Sequence, residues 1–380
     1  MKGREKRPEG FLKGGYVMTD IAMEQTAEPA VRPLRTAPRL GFVGVGWMGR
    51  NRLTALAQSA SVDILAVTDP DEACIRACRE VVPAVQVCDS FDALLAQDLD
   101  AVVIATPSAL HAPQCLAAFQ RGLAVFCQKP LGRNAAEVRR VVEAARRADR
   151  LLGVDLSYRW TRAVSLARNA VKTGRIGRVF HSELVFHNAY GPGKAWFYDR
   201  RLAGGGACLD LGVHLVDLAL WTLGFPQIVE TRSRLYNKGV LLKRDSAVVE
   251  DFATAQLLTE DDTGIDLQCS WNLHTGCDAV IAARFYGERG SVQVENVNGS
   301  FYDFRARWCS GTKAVALAEP PDPWFGRAAV EWAHKLRRNP RFDPEATEHI
   351  AVAEVLDGMY GRSNRPGGIP CVEASIEDNY

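Results

Sequence analysis

The 380-residue chain is 47% apolar and 24% charged, which excludes a wholly disordered or collagen-like polypeptide and makes two domains the first expectation. Its 46 Lys and Arg against 45 Asp and Glu leave a net charge of +1, so no bulk electrostatic pull toward nucleic acid or a membrane surface exists. Ten scattered cysteines, with only Cys74 and Cys78 a helical turn apart, read as reduced thiols in a cytoplasmic protein rather than a disulfide framework or a metal site.

Residues 1–38 show no periodicity and no apolar run of signal-peptide length, and a disordered leader is expected there. From residue 39 to 157, short apolar runs alternate with amphipathic stretches. Strands are expected at Leu40–Val45, Ile64–Thr68, Ala101–Ala105, Ala124–Cys127 and Leu151–Val154. Helices are expected at Arg52–Ser59, Glu72–Val81 and Ala135–Ala148, an alternation that predicts a parallel sheet covered on both faces. Over residues 158–380 the pattern changes. Helical segments Ala163–Thr173 and Ala207–Leu223 precede strands at Ala247–Leu258, Ile265–His274, Ala279–Tyr286 and Ser291–Val297, and a last helix spans Ala346–Tyr360. This predicts a second α/β domain with a mostly antiparallel sheet. The longest apolar stretch, Leu209–Phe225, is broken by Asp210, His214 and Asp217, so no membrane span is expected.

The first strand runs into Gly44-Val45-Gly46-Trp47-Met48-Gly49 and then a helix, the context that makes this glycine pattern a dinucleotide fingerprint of a Rossmann domain. The first glycine permits the turn, the second admits the pyrophosphate, and the third lets helix and strand pack. Phosphates would sit on the free N–H groups of the helix start. Asp69 ends the second strand twenty residues later, where a carboxylate accepts from ribose hydroxyls and repels a 2′-phosphate, favouring NAD over NADP. Asp69-Pro70-Asp71-Glu72 reads equally as a helix cap with proline first in the helix. In the second half, Asp210, His214 and Asp217 form one polar stripe on an otherwise apolar helix, and burying them is costly unless they are paired or line a site. Gly204-Gly205-Gly206 just before would leave room for a ligand.

Further motifs join these. Ala105-Thr106-Pro107 with His111, Gln128-Lys129-Pro130, and Gly204-Gly205-Gly206 leading to Asp210, His214 and Asp217 make residues 39–365 resemble the glucose–fructose oxidoreductase, inositol dehydrogenase and MocA family. The resemblance implies an oxidoreductase moving hydride between NAD and a secondary hydroxyl of a sugar, inositol or related polyol. It implies Lys129, Asp210 and His214 as catalytic residues, with His214 taking the hydroxyl proton and Asp210 orienting it. Thr106, Pro107, His111, Gln128 and Lys129 would join Gly44, Gly46, Trp47, Met48, Gly49 and Asp69 around the cofactor. Tyr158, Arg159, Trp160, His187 and Trp196 are candidate substrate contacts. Gln128 departs from the family's usual glutamate, keeping hydrogen-bonding capacity but not the charge. A redox-neutral sugar-modifying enzyme and a non-catalytic NAD(H) sensor stay open beside the dehydrogenase. Apolar residues on both faces of the strand at Phe252–Leu258 suggest a homodimer or homotetramer interface.

Overall fold

The computed structural model describes residues 37–243 and 246–362; the expected leader lies, but for its last two positions, outside them. Strands β1 (Arg39–Val43), β2 (Asp63–Thr68), β3 (Gln86–Val87), β4 (Ala101–Ile104), β5 (Ala124–Cys127) and β6 (Leu152–Val154) form an all-parallel sheet in the order 3-2-1-4-5-6. β4 and β5 are buried at every position, which is why they read as unbroken apolar runs. The C-terminal ends of the strands lead into Gly44, Asp69, Ala105, Gln128 and Asp155, so the residues singled out by motif share one edge of the sheet. Helices α1 (Trp47–Ser59), α2 (Glu72–Val81), α3 (Phe91–Leu95), α4 (Ser108–Gln120) and α5 (Ala135–Ala148) connect the strands. The cap of α2 is Asp71, which accepts from the Ala73 N–H, and not Asp69; Pro70 stands outside the helix.

The second sheet has nine strands: β7 (Val179–Asn188), β8 (Ile228–Asn237), β9 (Val240–Leu241), β10 (Phe252–Thr259), β11 (Gly264–Ser270), β12 (Ala279–Gly287), β13 (Gly290–Asn296), β14 (Phe304–Ser310) and β15 (Lys313–Ala318). Their order is 15-14-13-12-7-11-10-8-9, and only the β7–β11 pairing is parallel. Helices α6 (Arg162–Lys172), α8 (Val213–Leu223) and α10 (Glu348–Met359) cover the face carrying Leu184, Phe186, Ala253, Leu257 and Phe285. The four-residue helix α7 (Arg200–Ala203) precedes the glycine triplet. The segment Arg200–Leu223 is long and apolar enough to cross a membrane, yet 83% of its most apolar stretch is buried inside the fold, as in a core helix.

Helix α9 (Arg327–Arg338) is absent from the sequence-based expectation. Although it follows the second sheet, its Ala329, Trp332, Ala333 and Leu336 pack on Leu40, Phe42 and Phe126 of the parallel sheet. The described residues after Tyr158 therefore do not all stay together: α9 returns to close one face of the nucleotide domain. Trp332 sits 5.3 Å from the Phe126 ring and fills the space left by Gly153, where a Cβ would come within 2.4 Å of it. Trp332→Ala is expected to cost about 3–5 kcal/mol, read as a lowered urea midpoint with an unchanged fold by circular dichroism.

Candidate active site

The glycine loop separates structural from ligand-facing requirements. Gly44 has φ +82 and an added Cβ would lie 2.5 Å from the Ala105 carbonyl oxygen; at Gly49 it would lie 2.1 Å from the Gly44 oxygen. Both glycines are demanded by the protein itself. At Gly46 a Cβ would meet nothing within 4 Å, so the open space over the start of α1 is where a pyrophosphate could approach. No side chain caps α1 and its first turn carries no acid. The Asp69 carboxylate is fixed at the same edge by the Val45 N–H (2.7 Å) and the Asp71 N–H (2.9 Å). These residues fit a dinucleotide with a ribose on Asp69. Trp47 stands half-exposed beside them, 5.5 Å from the Phe325 ring, and Met48 is half-buried.

Across the edge, Lys129 Nζ donates to Asp210 Oδ1 (2.6 Å) and to the Asp210 backbone oxygen (2.8 Å), and both side chains are about six-sevenths buried. Asp210 Oδ2 accepts from Trp271 Nε1 at 3.1 Å. Asp210 thus accepts from a lysine and an indole, and no hydrogen bond joins it to His214, the residue it was expected to orient. The cause is local. Residues Cys208–Gly212 form a π-helical turn before α8, so the i, i+4, i+7 spacing does not yield one stripe. His214 instead meets the Tyr158 ring edge-on at 4.8 Å. Burial first, then the positive charges of Lys129 and Arg52, push its pKa well below the usual histidine value, and the ring is neutral. Burial raises the Tyr158 hydroxyl, helped by Asp210.

Nothing in the sequence pattern points to Glu250. It is 2% exposed, and its Oε1 accepts from the Gly206 and Cys208 N–H groups (2.9 Å each) and the Tyr360 hydroxyl (2.7 Å). Burial raises its pKa against those bonds. The glycine triplet makes room for these partners rather than for a ligand. A Cβ at Gly205 would lie 1.9 Å from the Tyr360 hydroxyl, and one at Gly206 equally close to the Glu250 carbonyl oxygen. The same contacts explain why the strand expected from Ala247 starts only at Phe252.

Comparison with known proteins agrees with this layout. Residues 38–156 match the family model described as an oxidoreductase family NAD-binding Rossmann fold, and residues 164–293 match the GFO/IDH/MocA C-terminal domain. Inositol 2-dehydrogenase 4 of Saccharopolyspora erythraea is 30% identical over 306 residues, 79% of this chain and 85% of that protein. D-apiose dehydrogenase of Paraburkholderia graminis is 29% identical over 77% of this chain and 74% of that protein. The chain belongs to the glucose–fructose oxidoreductase, inositol dehydrogenase and MocA family. Among solved structures, levoglucosan dehydrogenase with NADH and levoglucosan matches the fold of this family member at TM-score 0.72 and 19% identity, over 86% of this chain and 97% of that one. GenD2 from gentamicin A biosynthesis, in complex with NAD, does so at TM-score 0.72 and 23% identity, over 87% and 96%.

Several expected contacts of this family member turn out to hold the protein together. Arg159 grips Asp217 with two nitrogens (2.6–3.1 Å), bonds Glu348 at 3.0 Å, and lies under Trp221 and Phe225, so it is not free for substrate. His111 is 1% exposed, with each ring nitrogen 2.7 Å from a carbonyl oxygen, of Pro130 and of Thr106. It clips the ends of β4 and β5 together and leaves no nitrogen for a cofactor. Thr106 donates to Gln114 at 2.6 Å, and Pro107 stands at the N-cap of α4. His187 stacks on Phe252 and faces Ser270 at 2.8 Å. Strand alternation sends it to the opposite face from its neighbour Phe186, whose ring approaches His214 at 6.3 Å. Trp160 is partly exposed and its carbonyl accepts from Arg327; Trp196 stacks on Phe197 at 3.8 Å. Two loops meet where Tyr198, Asp199, Arg200 and Arg201 face Ser246 and Ala247 across a groove of about 680 Å³.

The two glycines give a direct test of the cradle. Gly46→Ala is expected to keep the wild-type urea midpoint while weakening NAD about tenfold, or ~1.4 kcal/mol, in a fluorescence titration. Gly49→Ala should instead lose about 1–3 kcal/mol of folding stability.

Proposed function

We propose that this family member oxidises a secondary hydroxyl of a sugar, inositol or related polyol with NAD. The observation that carries the reading is the setting of Lys129 at the C-terminal end of β5. Two of its three ammonium donors are taken by Asp210, and the third is left for a ligand oxygen. NAD, when bound, supplies the hydride acceptor. Gly46 and the start of α1 would hold its pyrophosphate, and Asp69 its ribose in preference to a 2′-phosphate. Lys129 donates to the substrate oxygen and stabilises alkoxide character as the proton leaves. His214, neutral and edge-on to Tyr158, accepts that proton on a ring nitrogen. Relatives named as inositol and apiose dehydrogenases support the polyol class.

The reading is tested with NAD and NADP against inositols, aldoses, sugar acids and glycosides, following reduced nucleotide and sugar product together. NADH is expected with one substrate class; altered sugar without NADH would instead favour the redox-neutral enzyme. Lys129→Met should lower kcat by about 10²–10³ with little change in NAD affinity. Full turnover in that variant would remove Lys129 from the chemistry. Because the His214 pKa is lowered, its neutral form persists on acidification. The acid limb of kcat should therefore fall below the ordinary histidine value of about 6.5.

We propose also that a second copy of the chain covers the open face of the nine-stranded sheet. A cross-strand row there runs Gln256–Asp266–Glu183–Arg284, and beside it half-buried Phe252 and Val280 flank the buried Ser270 and His187. Half-buried apolar side chains stand beside the Arg284–Glu183 ion pair, as on a surface made for a partner of like kind. Light scattering is expected to give a dimer or tetramer, and Phe252→Asp should shift it toward monomer with the fold retained.

A further inference from the structure

A buried polar unit adjoins Lys129 in the chain through Gln128. Arg52, on α1 just past Gly49, donates from Nε to Asp155 Oδ2 (2.5 Å) and from Nη2 to Ser157 Oγ (3.0 Å). Ser157 Oγ donates to Asp155 Oδ1 (2.5 Å), and Gln128 Nε2 donates to Asp155 Oδ2. Phe325 covers the guanidinium at 4.3 Å. The Arg52 and Asp155 side chains are 2% and 0% exposed, and Gln128 is 7% exposed. One guanidinium and one carboxylate make the unit neutral, and its members come from the cofactor helix, the residue before Lys129, and the turn that carries Tyr158.

We propose that Asp155 is a positioning residue for Lys129 and that Gln128 is its charge-matched partner, so that a carboxylate at 128 is tolerated only when the one at 155 is neutralised. The kinetic half of this rests on the role of Lys129 given above; the structural half does not. Gln128→Glu exchanges a donor for an acceptor and sets two buried carboxylates against each other. One of them must then take a proton. The charged and titratable groups around the pair are Arg52 from α1, Lys129 and Cys127 from the end of β5 with Cys115 behind Cys127, Tyr158 from the turn after Ser157, His214 from α8, and Asp210 beyond Lys129. Arg52 Nη1, buried and without a hydrogen-bond partner, is the competing place for a second carboxylate.

The test uses Q128E, D155N, the Q128E/D155N double variant and K129M in the full chain, with thermal melting from about pH 5 to about pH 8, NAD titration and steady-state kinetics. Q128E is expected to melt close to wild type at the acid end and to fall behind as pH rises, because the shared proton is lost. Its kcat at the alkaline end should drop about tenfold to a hundredfold, with the KM for NAD within about twofold. The double variant should recover both melting and kcat. Q128E that matches wild type at the alkaline end, its new carboxylate satisfied by Arg52 Nη1, overturns the proposal, as does a double variant worse than either single. Should Q128E not fold, a folded double variant supports the proposal and an unfolded one overturns it. Full activity in K129M would remove the Lys129 reading alone, since the melting curves report the pairing without any substrate.

Discussion

The contact between Lys129 and Asp210 joins the end of a parallel strand to the first turn of a helix that covers the other sheet. Removing two opposite charges from water is costly, and the geometry offsets it by bonding the lysine twice and the carboxylate on both oxygens. Because the partners come from different sheets, each sets the other's position. Anything that moves the helix start moves the ammonium group, and the rest of the site is arranged so that neither moves.

Glu250 does that work from the far side. A helix start leaves N–H groups unpaired, and here they are buried, so solvent does not satisfy them. A carboxylate at the foot of β10 takes two of these donors and binds the Tyr360 hydroxyl from the end of α10. The glycine triplet is what permits that approach, since a Cβ at Gly205 or Gly206 would strike Tyr360 or the Glu250 backbone. The π-helical turn follows directly. It aims Asp210 at Lys129 and Trp271, and leaves His214 to Tyr158 and Asp217 to Arg159. One polar stripe in the sequence becomes three separate contacts in the fold.

The parallel sheet was legible because β4 and β5 are buried on both faces and α2 and α5 are strongly amphipathic, and the expected bounds of both helices match those observed. The nucleotide loop was legible because glycines carry positional meaning. What was hidden depends on partners distant in sequence. Helix α9 carries three arginines and a lysine around an alanine-rich seam, so its apolar face is recognisable only once the Phe126 surface exists. β7, the centre of the second sheet, was not among the expected strands, because Glu183 and two histidines interrupt an alternation that the open face explains. Glu250 and Asp155 belong to no local pattern; each matters through a residue far along the chain, Tyr360 at 110 positions from the first and Arg52 at 103 from the second.

The electrostatics of His214 carry the argument one step further. Burial and two nearby cations keep the ring neutral, so in the proposed reaction it would accept a proton without first having to lose one. The same surroundings make an imidazolium there unfavourable, so in the proposed reaction the proton would be passed onward rather than held. Tyr158 is kept protonated by burial and by Asp210, so it offers no base here, and its ring meets the imidazole edge-on. In the proposed reaction Lys129 would act twice: its charge would stabilise the oxygen that loses the proton, and it disfavours a protonated His214. Asp210, by holding the ammonium group in place, is what would let a single cation do this.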